Sequence, residues 1–138
     1  MSHENVAVVR RWFEEVWNHR RAETIDELVD ADSVCQTDEG PMTGPGEFRA
    51  RQYDPFLAAF PDLRVEVEAV VADGDQVVVR WSASGRHTGA GLGFRPTGEA
   101  VTFRGISWIH VRGGKLREGW QYSDIPAVVR GLAAKAGA

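Results

Sequence analysis

Cysteine is nearly absent: Cys35 stands alone among 138 residues. That excludes an intrachain disulfide and suits a reducing compartment, so a cytoplasmic location is expected. No apolar run approaches the ~18 residues of a membrane span. The N-terminal stretch MSHENVAVVRRWFEEVW also lacks the basic-then-apolar order of a signal peptide. Positive charge is in deficit, with 16 Lys and Arg against 20 Asp and Glu and a net charge of −4. No basic stripe runs along any segment, which argues against a nucleic-acid partner. Histidine is scarce, and His3, His19, His87 and His110 show no metal-ligand spacing with one another or with Cys35. No glycine-rich phosphate loop has the right spacing. Neither a metal nor a cofactor is therefore predicted.

Large apolar side chains, by contrast, are plentiful. Hydrophobic residues make up 43% of the chain, and five of them are Trp. This length and composition suit one domain over residues 1–138 with a substantial core. Aromatic rings in such number fill a core or line an apolar pocket.

The first half has helical periodicity. Val6, Val9, Phe13, Val16 and Trp17 recur at three- and four-residue steps, predicting a helix over 3–18 with Ser2 as N-cap and Asn18 as its stop. A second helix is expected over 22–30, from Ile25, Leu28 and Val29. SVCQT reads as a short strand and DEGPMTGPG as a loop. Phe48, Gln52, Phe56 and Phe60 at i+4 steps predict a third helix over 46–60, ended by Pro61.

The second half switches to a period of two. RVEVEAVVA alternates, with Val65, Val67, Ala69 and Val71 on one face, and DGD follows as a hairpin turn. QVVVRWSASGRH, VTFRGISWIHV and KLREGWQYS continue as strands, and IPAVVRGLAAKAGA reads as a short C-terminal helix. Helices first and a meander after them argue an α+β fold: a curved antiparallel sheet wrapped as a cone on three N-terminal helices. Gly85, Gly105 and Gly119 are candidates for strand bends.

The segments FPDL, DGDQVVVRW, GRHTG, PTG, GGK and Glu118-x-Trp120 together resemble the SnoaL-like polyketide cyclases. Those proteins belong to the superfamily of nuclear transport factor 2 and ketosteroid isomerase. The resemblance runs from RRWFEEVWN to the final helix. It implies a cone-shaped NTF2-like fold and a small-molecule pocket, and a homodimer through the exposed sheet face is expected because Ile106, Trp108 and Trp120 exceed what one face can bury if the other holds the pocket. It also implies that AGLGFRPTGEA lies at the pocket mouth, with Leu92 and Phe94 as an apolar lip. Cyclases of this kind close a ring by an intramolecular aldol step, which needs a base in an apolar cavity. Carried over by position, the family's catalytic aspartate falls at Gln121 and its pocket histidine at Ser107. A helix tyrosine falls at Trp17 and an asparagine at Gln52.

Gln121 is no base, so the resemblance implies a neutral, hydrogen-bonding pocket. Its polar members are Gln52, Ser107 and Gln121, with Ser123 beside them. Its walls are Phe13, Trp17, Phe56, Phe60, Phe103 and Ile109. His87 is a third candidate catalytic group beside Gln121 and Ser107, at a strand end near the mouth. His110 reads as a surface residue, Asp124 as the N-cap of the last helix and Cys35 as a small core residue. Arg80 is considered as an inward-facing member of an Asp-Arg-Asp epoxide-hydrolysing set. Hydrophobicity puts Leu116, Trp120 and Tyr122 on the core face of the last strand, whereas the resemblance puts Gly119, Gln121 and Ser123 there. Two functions are open. One is a cyclase or isomerase of secondary metabolism that shapes a hydrophobic, polyketide-derived ligand. The other is a non-catalytic carrier of such a ligand. A purely structural dimerisation module is a third, disfavoured by the aromatic walls.

Overall fold

The structure, a computed structural model, describes residues 2–138. Helix α1 (Ser2–Arg11) runs directly into a π-helical segment, Trp12–Asn18. Then come α2 (Glu23–Leu28), β1 (Val29–Thr37), β2 (Gly40–Thr43) and α3 (Gly44–Phe48). A second π-helical segment, Arg49–Tyr53, leads without a break into α4 (Asp54–Ala59). The remainder is β3 (Arg64–Asp73), β4 (Gln76–Arg86), β5 (Ala100–Arg112), β6 (Lys115–Ser123) and α5 (Ile125–Lys135).

The strands form one curved, unclosed α+β sheet in the order β2-β1-β6-β5-β4-β3. The β3–β6 meander is antiparallel as expected. The sheet as a whole is not purely antiparallel, because β1 pairs with β6 in parallel. Two boundaries also move. The second helix stops at Leu28, and Val29 already begins β1. The Pro/Gly-rich stretch expected as a loop contains β2, an edge strand of four residues. Pro41 is tolerated there because an edge strand has an unpaired side.

Both π segments have local causes. Pro55 has no N–H to donate, so the helix loosens just before it and still continues to Ala59. In the first segment, His19 N–H donates five residues back to Glu14 O at 2.9 Å. This widened turn buries Trp12, Phe13, Val16 and Trp17 together, a broader apolar face than a regular helix presents. Asn18 ends the segment by bonding strand β3: its Oδ1 accepts Val65 N–H at 2.8 Å and its Nδ2 donates to Val65 O at 2.8 Å. Ser2 Oγ and Asn5 Nδ2 bind the N–H and O of Gly74, which seats α1 on the β3–β4 turn.

The β3 alternation does not hold as expected. Register shifts between Val67 and Ala69, so a bulge at Glu68 flips the parity. Val65 and Val67 face the helices, but Val71 turns outward and is 71% exposed.

Candidate functional site

A cavity of about 130 Å3 lies between the helices and the inner sheet face. Its helical wall is Trp12, Phe13 and Trp17 from the first π segment, with Phe48, Gln52 and Phe56 from the second helical run. Trp12 and Trp17 both pack on Phe48, with ring centroids at 4.9 and 5.9 Å, so the rings hold one another in place. The sheet wall is Trp81 and Ala83 of β4, Phe103, Ser107 and Ile109 of β5, and Gly119 and Gln121 of β6.

The register decides which face of β6 meets the cavity. Ser107 pairs with Gln121 and Ile109 with Gly119, while Trp108 pairs with Trp120 and Ile106 with Tyr122. Side chains alternate along a strand. Gly119 and Gln121 therefore share the inner face with the buried Ser107 and Ile109, and Trp120 and Tyr122 lie on the outer one. Reading the β6 core face from hydrophobicity holds for Leu116, which lines the cavity and packs on the core, and fails for Trp120 and Tyr122, because farther along the strand the outer face carries the larger rings.

Two glycine–aromatic fits shape the inner wall. Trp81 pairs with Gly105, and its indole lies flat across that residue: a Cβ on Gly105 would sit 2.4 Å from Trp81 Cζ2. Lying so, Trp81 Nε1 donates to Ser107 Oγ at 3.0 Å, satisfying both buried groups. Gly105 is thus a space-maker for a ring, not a strand bend. Gly119 borders the cavity, and its missing side chain leaves that part of the wall open.

The cavity opens into a more polar vestibule of about 320 Å3. Met42, Gln52, Phe56, Gln121 and Ile125 border both and form the collar between them. Among the described residues, neither the Gln52 nor the Gln121 side-chain amide has a hydrogen-bond partner. Both amides are therefore available to a ligand. The vestibule adds Asp38 and Glu39 of the β1–β2 turn, Arg51, Leu92 and Ser123. Ser123 fixes Asp38, its N–H and Oγ reaching Asp38 Oδ2 at 3.1 and 3.2 Å. Asp38 was not singled out in the sequence. It sits in a turn whose TDEG looks like any hairpin, and only the fold brings it to Ser123.

Phe13, Trp17, Gln52, Phe56, Phe103, Ser107, Ile109 and Gln121 all line the cavity. Phe60 and His87 lie outside it. Phe60 is fully buried behind the wall, packed on Phe56, Phe103 and His87 at 6.1, 5.3 and 5.5 Å. His87 is 0% exposed. Its Nδ1 accepts Thr97 N–H at 3.1 Å, and its ring lies between Phe60 and Phe94. Burial pushes its imidazole below the ordinary range. It anchors the loop after β4 and lines neither the cavity nor the vestibule. Phe94 serves that anchor, and of the two expected lip residues Leu92 reaches the vestibule.

The glycines of this loop have a structural reason. A Cβ on Gly89 would lie 1.9 Å from Ala58 O, and one on Gly91 2.4 Å from Pro55 O. They let the loop backbone lie directly on α4, with Gly89 N–H donating to Ala59 O at 3.1 Å.

The other candidates are placed as follows. Arg80 points outward and pairs with Glu68 at 3.3 Å, so no inward Asp-Arg-Asp set forms around it. Asp124 makes no side-chain cap: its Oδ1 accepts Arg104 N–H at 2.7 Å, while Ser123 Oγ takes Ile125 N–H at 3.2 Å. His110 is half-buried on the outer face, 3.7 Å from Asp75 Oδ2. Cys35 lines the cavity, and burial pushes its thiol up to about 11, which makes it a poor nucleophile. Among the described residues, no three His, Cys, Asp or Glu side chains converge as a metal-holding group, and no helix is long and apolar enough to cross a membrane.

The comparisons agree on the family. The SnoaL-like polyketide cyclase family matches residues 7–132. A protein from Jannaschia sp. CCS1, named as a SnoaL-like polyketide cyclase, is 26% identical with a TM-score of 0.85, over 97% of this chain and 94% of that one. IdmH from Streptomyces antibioticus, named as a polyketide cyclase, is 26% identical with a TM-score of 0.77, over 97% of this chain and 99% of its own. A Catenulispora acidiphila protein of ketosteroid isomerase-like fold is 17% identical with a TM-score of 0.70, over 94% of this chain and 92% of that one, a likeness of fold alone. No curated protein matches the chain. With a family match across almost its whole length and a ring-lined cavity under a curved sheet, this chain belongs to the SnoaL-like polyketide cyclases.

Proposed function

We propose that the protein is a cyclase- or isomerase-like enzyme that acts on a hydrophobic, polyketide-derived small molecule in secondary metabolism. The carrying observation is the collar: two unpartnered amides, Gln52 and Gln121, stand between an aromatic chamber and a vestibule that holds a carboxylate. The chamber, collar and vestibule together hold the ligand so that its reacting carbons meet at the collar, which lowers the entropic part of the barrier. The amide N–H groups of Gln52 and Gln121 donate to a ligand carbonyl, and more strongly to the enolate oxygen that develops from it. Asp38 takes the proton. Ser123 holds its Oδ2, which leaves Oδ1 to accept the proton. In this step a C–H bond beside the carbonyl breaks. The proton moves to Asp38, and the electron pair moves into the enolate, which then either attacks a second carbonyl carbon, the resulting alkoxide taking the proton back from Asp38, or is reprotonated by Asp38 at another carbon.

The assembly we propose is a homodimer through the outer sheet face. Ile106, Trp108 and Tyr122 are 47%, 50% and 64% exposed there, a contiguous apolar patch that a monomer seldom leaves uncovered.

A carrier is the second reading, favoured by one observation: the fully buried His87 lies outside the cavity, which leaves carboxylates, Asp38 and Glu39 of the vestibule and Glu118 of the cavity wall, as the acid–base groups. Hydrogen–deuterium exchange at the methyl carbon of acetophenone, a neutral ketone that exchanges slowly on its own, followed by NMR in D2O, separates the two. Exchange accelerated by the protein and lost in Asp38→Asn supports the enzyme. Ligand binding with no acceleration supports the carrier.

A further inference from the structure

The chamber's size and chemistry restrict what it can take. A buried cavity of about 150 Å3 lined by Leu, Ile and Phe accommodates benzene, and this chamber is about 130 Å3. One six-membered ring fills it, and a second fused ring has to stay beyond the collar. Among the described residues, no Lys, Arg or His lines the chamber, while Glu118 does, so a carboxylate or phosphate entering it would find no counter-charge there. The vestibule repeats this bias. Asp38 and Glu39 face it, and its one cation, Arg51, is held by Pro41 O at 2.6 Å and by Glu47 at 3.8 Å.

Gly119 is where the chamber's volume can be changed without disturbing the fold. Its backbone is not in the left-handed region. A Cβ there would meet Trp108 O at 3.5 Å, Ile109 Cγ1 at 3.9 Å and Cys35 Sγ at 4.0 Å, all ordinary contacts. Any branch beyond that Cβ has to enter the chamber. Gly105 offers no such freedom, because Trp81 already occupies its space.

We propose that Gly119 is a specificity-determining residue, and that the ligand enters with one uncharged six-membered ring while its remaining, non-anionic part lies in the vestibule. This rests on the cavity being the ligand site, as proposed above. The ligand class is thus an uncharged or cationic compound bearing a terminal single ring with a carbonyl or hydroxyl within reach of Gln52 and Gln121.

The test is calorimetric titration of the intact protein with acetophenone, 9-acetylanthracene and benzoate, in the wild type, Gly119→Ala and Gly119→Leu. Wild type should bind acetophenone roughly tenfold or more tightly than either other compound, one ring and no charge being the admitted combination. Gly119→Leu should weaken acetophenone by about tenfold or more, and Gly119→Ala, which keeps the fold, by a smaller factor in the same direction. Equal binding of 9-acetylanthracene, equal binding of benzoate, or unchanged affinity in both variants would each overturn the inference. If the wild type binds none of the three, the ligand-site reading falls and this inference falls with it. If it binds them without discrimination, the ligand-site reading survives and only this inference falls.

Discussion

The two faces of β5 and β6 carry opposite loads. Around the cavity the inner face holds Gly105, Ser107, Gly119 and Gln121, which are small or polar, between Phe103 and Ile109. The outer face of the same strands holds Ile106, Trp108, Trp120 and Tyr122. The usual sense of inside and outside is reversed where the cavity lies. A cavity in a close-packed interior is made by leaving side chains out. The bulk that would fill it stands on the other side of the sheet, where it can cover a second copy.

Alanine in place of Gly105 probes this contrast most severely. Its Cβ would displace the Trp81 ring and break the indole bond to Ser107. A loss of about 2–3 kcal/mol is expected, as for other overpacked cores. Ile106→Ala, one residue away on the outer face, should cost the isolated chain about 1 kcal/mol or less. Urea unfolding of both variants at low protein concentration makes the comparison. A costlier Ile106→Ala would mean that the outer face is the true core.

The second test addresses what covers the outer face. Trp108→Arg leaves the inner wall untouched and places a charge in the proposed dimer contact, where a buried Trp is commonly worth about 2 kcal/mol. Sedimentation should show dimers in the wild type and a shift toward monomers in the variant, with acetophenone affinity unchanged. A wild-type monomer would remove the dimer, and a variant that loses cavity binding would show that the two faces are not independent.

Much of this contrast was legible in the sequence, and the failures share one cause. Helices and meander follow from periodicity. Resemblance points correctly to Ser107 and Gln121 on one face, because strand parity carries a residue's direction along with its position. Hydrophobicity misplaced Trp120 and Tyr122 because it assumes that large rings point inward. The bulge at Glu68 is invisible in RVEVEAVVA, since an extra residue leaves the letters alternating while the direction flips. Gly105 looked like a bend because its reason is Trp81, distant in the chain. Asp38 and β2 were missed likewise: each is defined by a partner, Ser123 and β1, that only the folded chain brings near.

A smaller effect is expected at the collar. Gln121→Ala removes one available amide and leaves the stacking surfaces in place. It should weaken a ring-bearing ketone by about 1 kcal/mol, the net worth of one neutral hydrogen bond. Acetophenone titrations read this directly. Ethylbenzene, which has no carbonyl, should be unaffected. An equal loss for both compounds would mean that Gln121 acts by shape rather than by hydrogen bonding.

The smallest effect comes from pH, through the fully buried His87. In the folded chain its Nδ1 is committed as an acceptor to Thr97 N–H, and burial disfavours the charged ring. The unfolded chain takes up that proton near the ordinary value of about 6.5, and the folded chain does so only at lower pH. Between the two, the unfolded state binds more protons, so stability rises with pH. The His87 contribution is full above pH about 6.5 and declines as pH falls from there toward the depressed folded value. The urea midpoint should therefore drop between about pH 7.5 and pH 5.5. In His87→Gln a side-chain oxygen can still accept Thr97 N–H but does not titrate, so that drop should shrink. The remaining histidines are common to both proteins, and the difference between the two curves isolates His87. A midpoint that rises on acidification, or an identical drop in the variant, would show that the buried imidazole does not control the stability of the inner face.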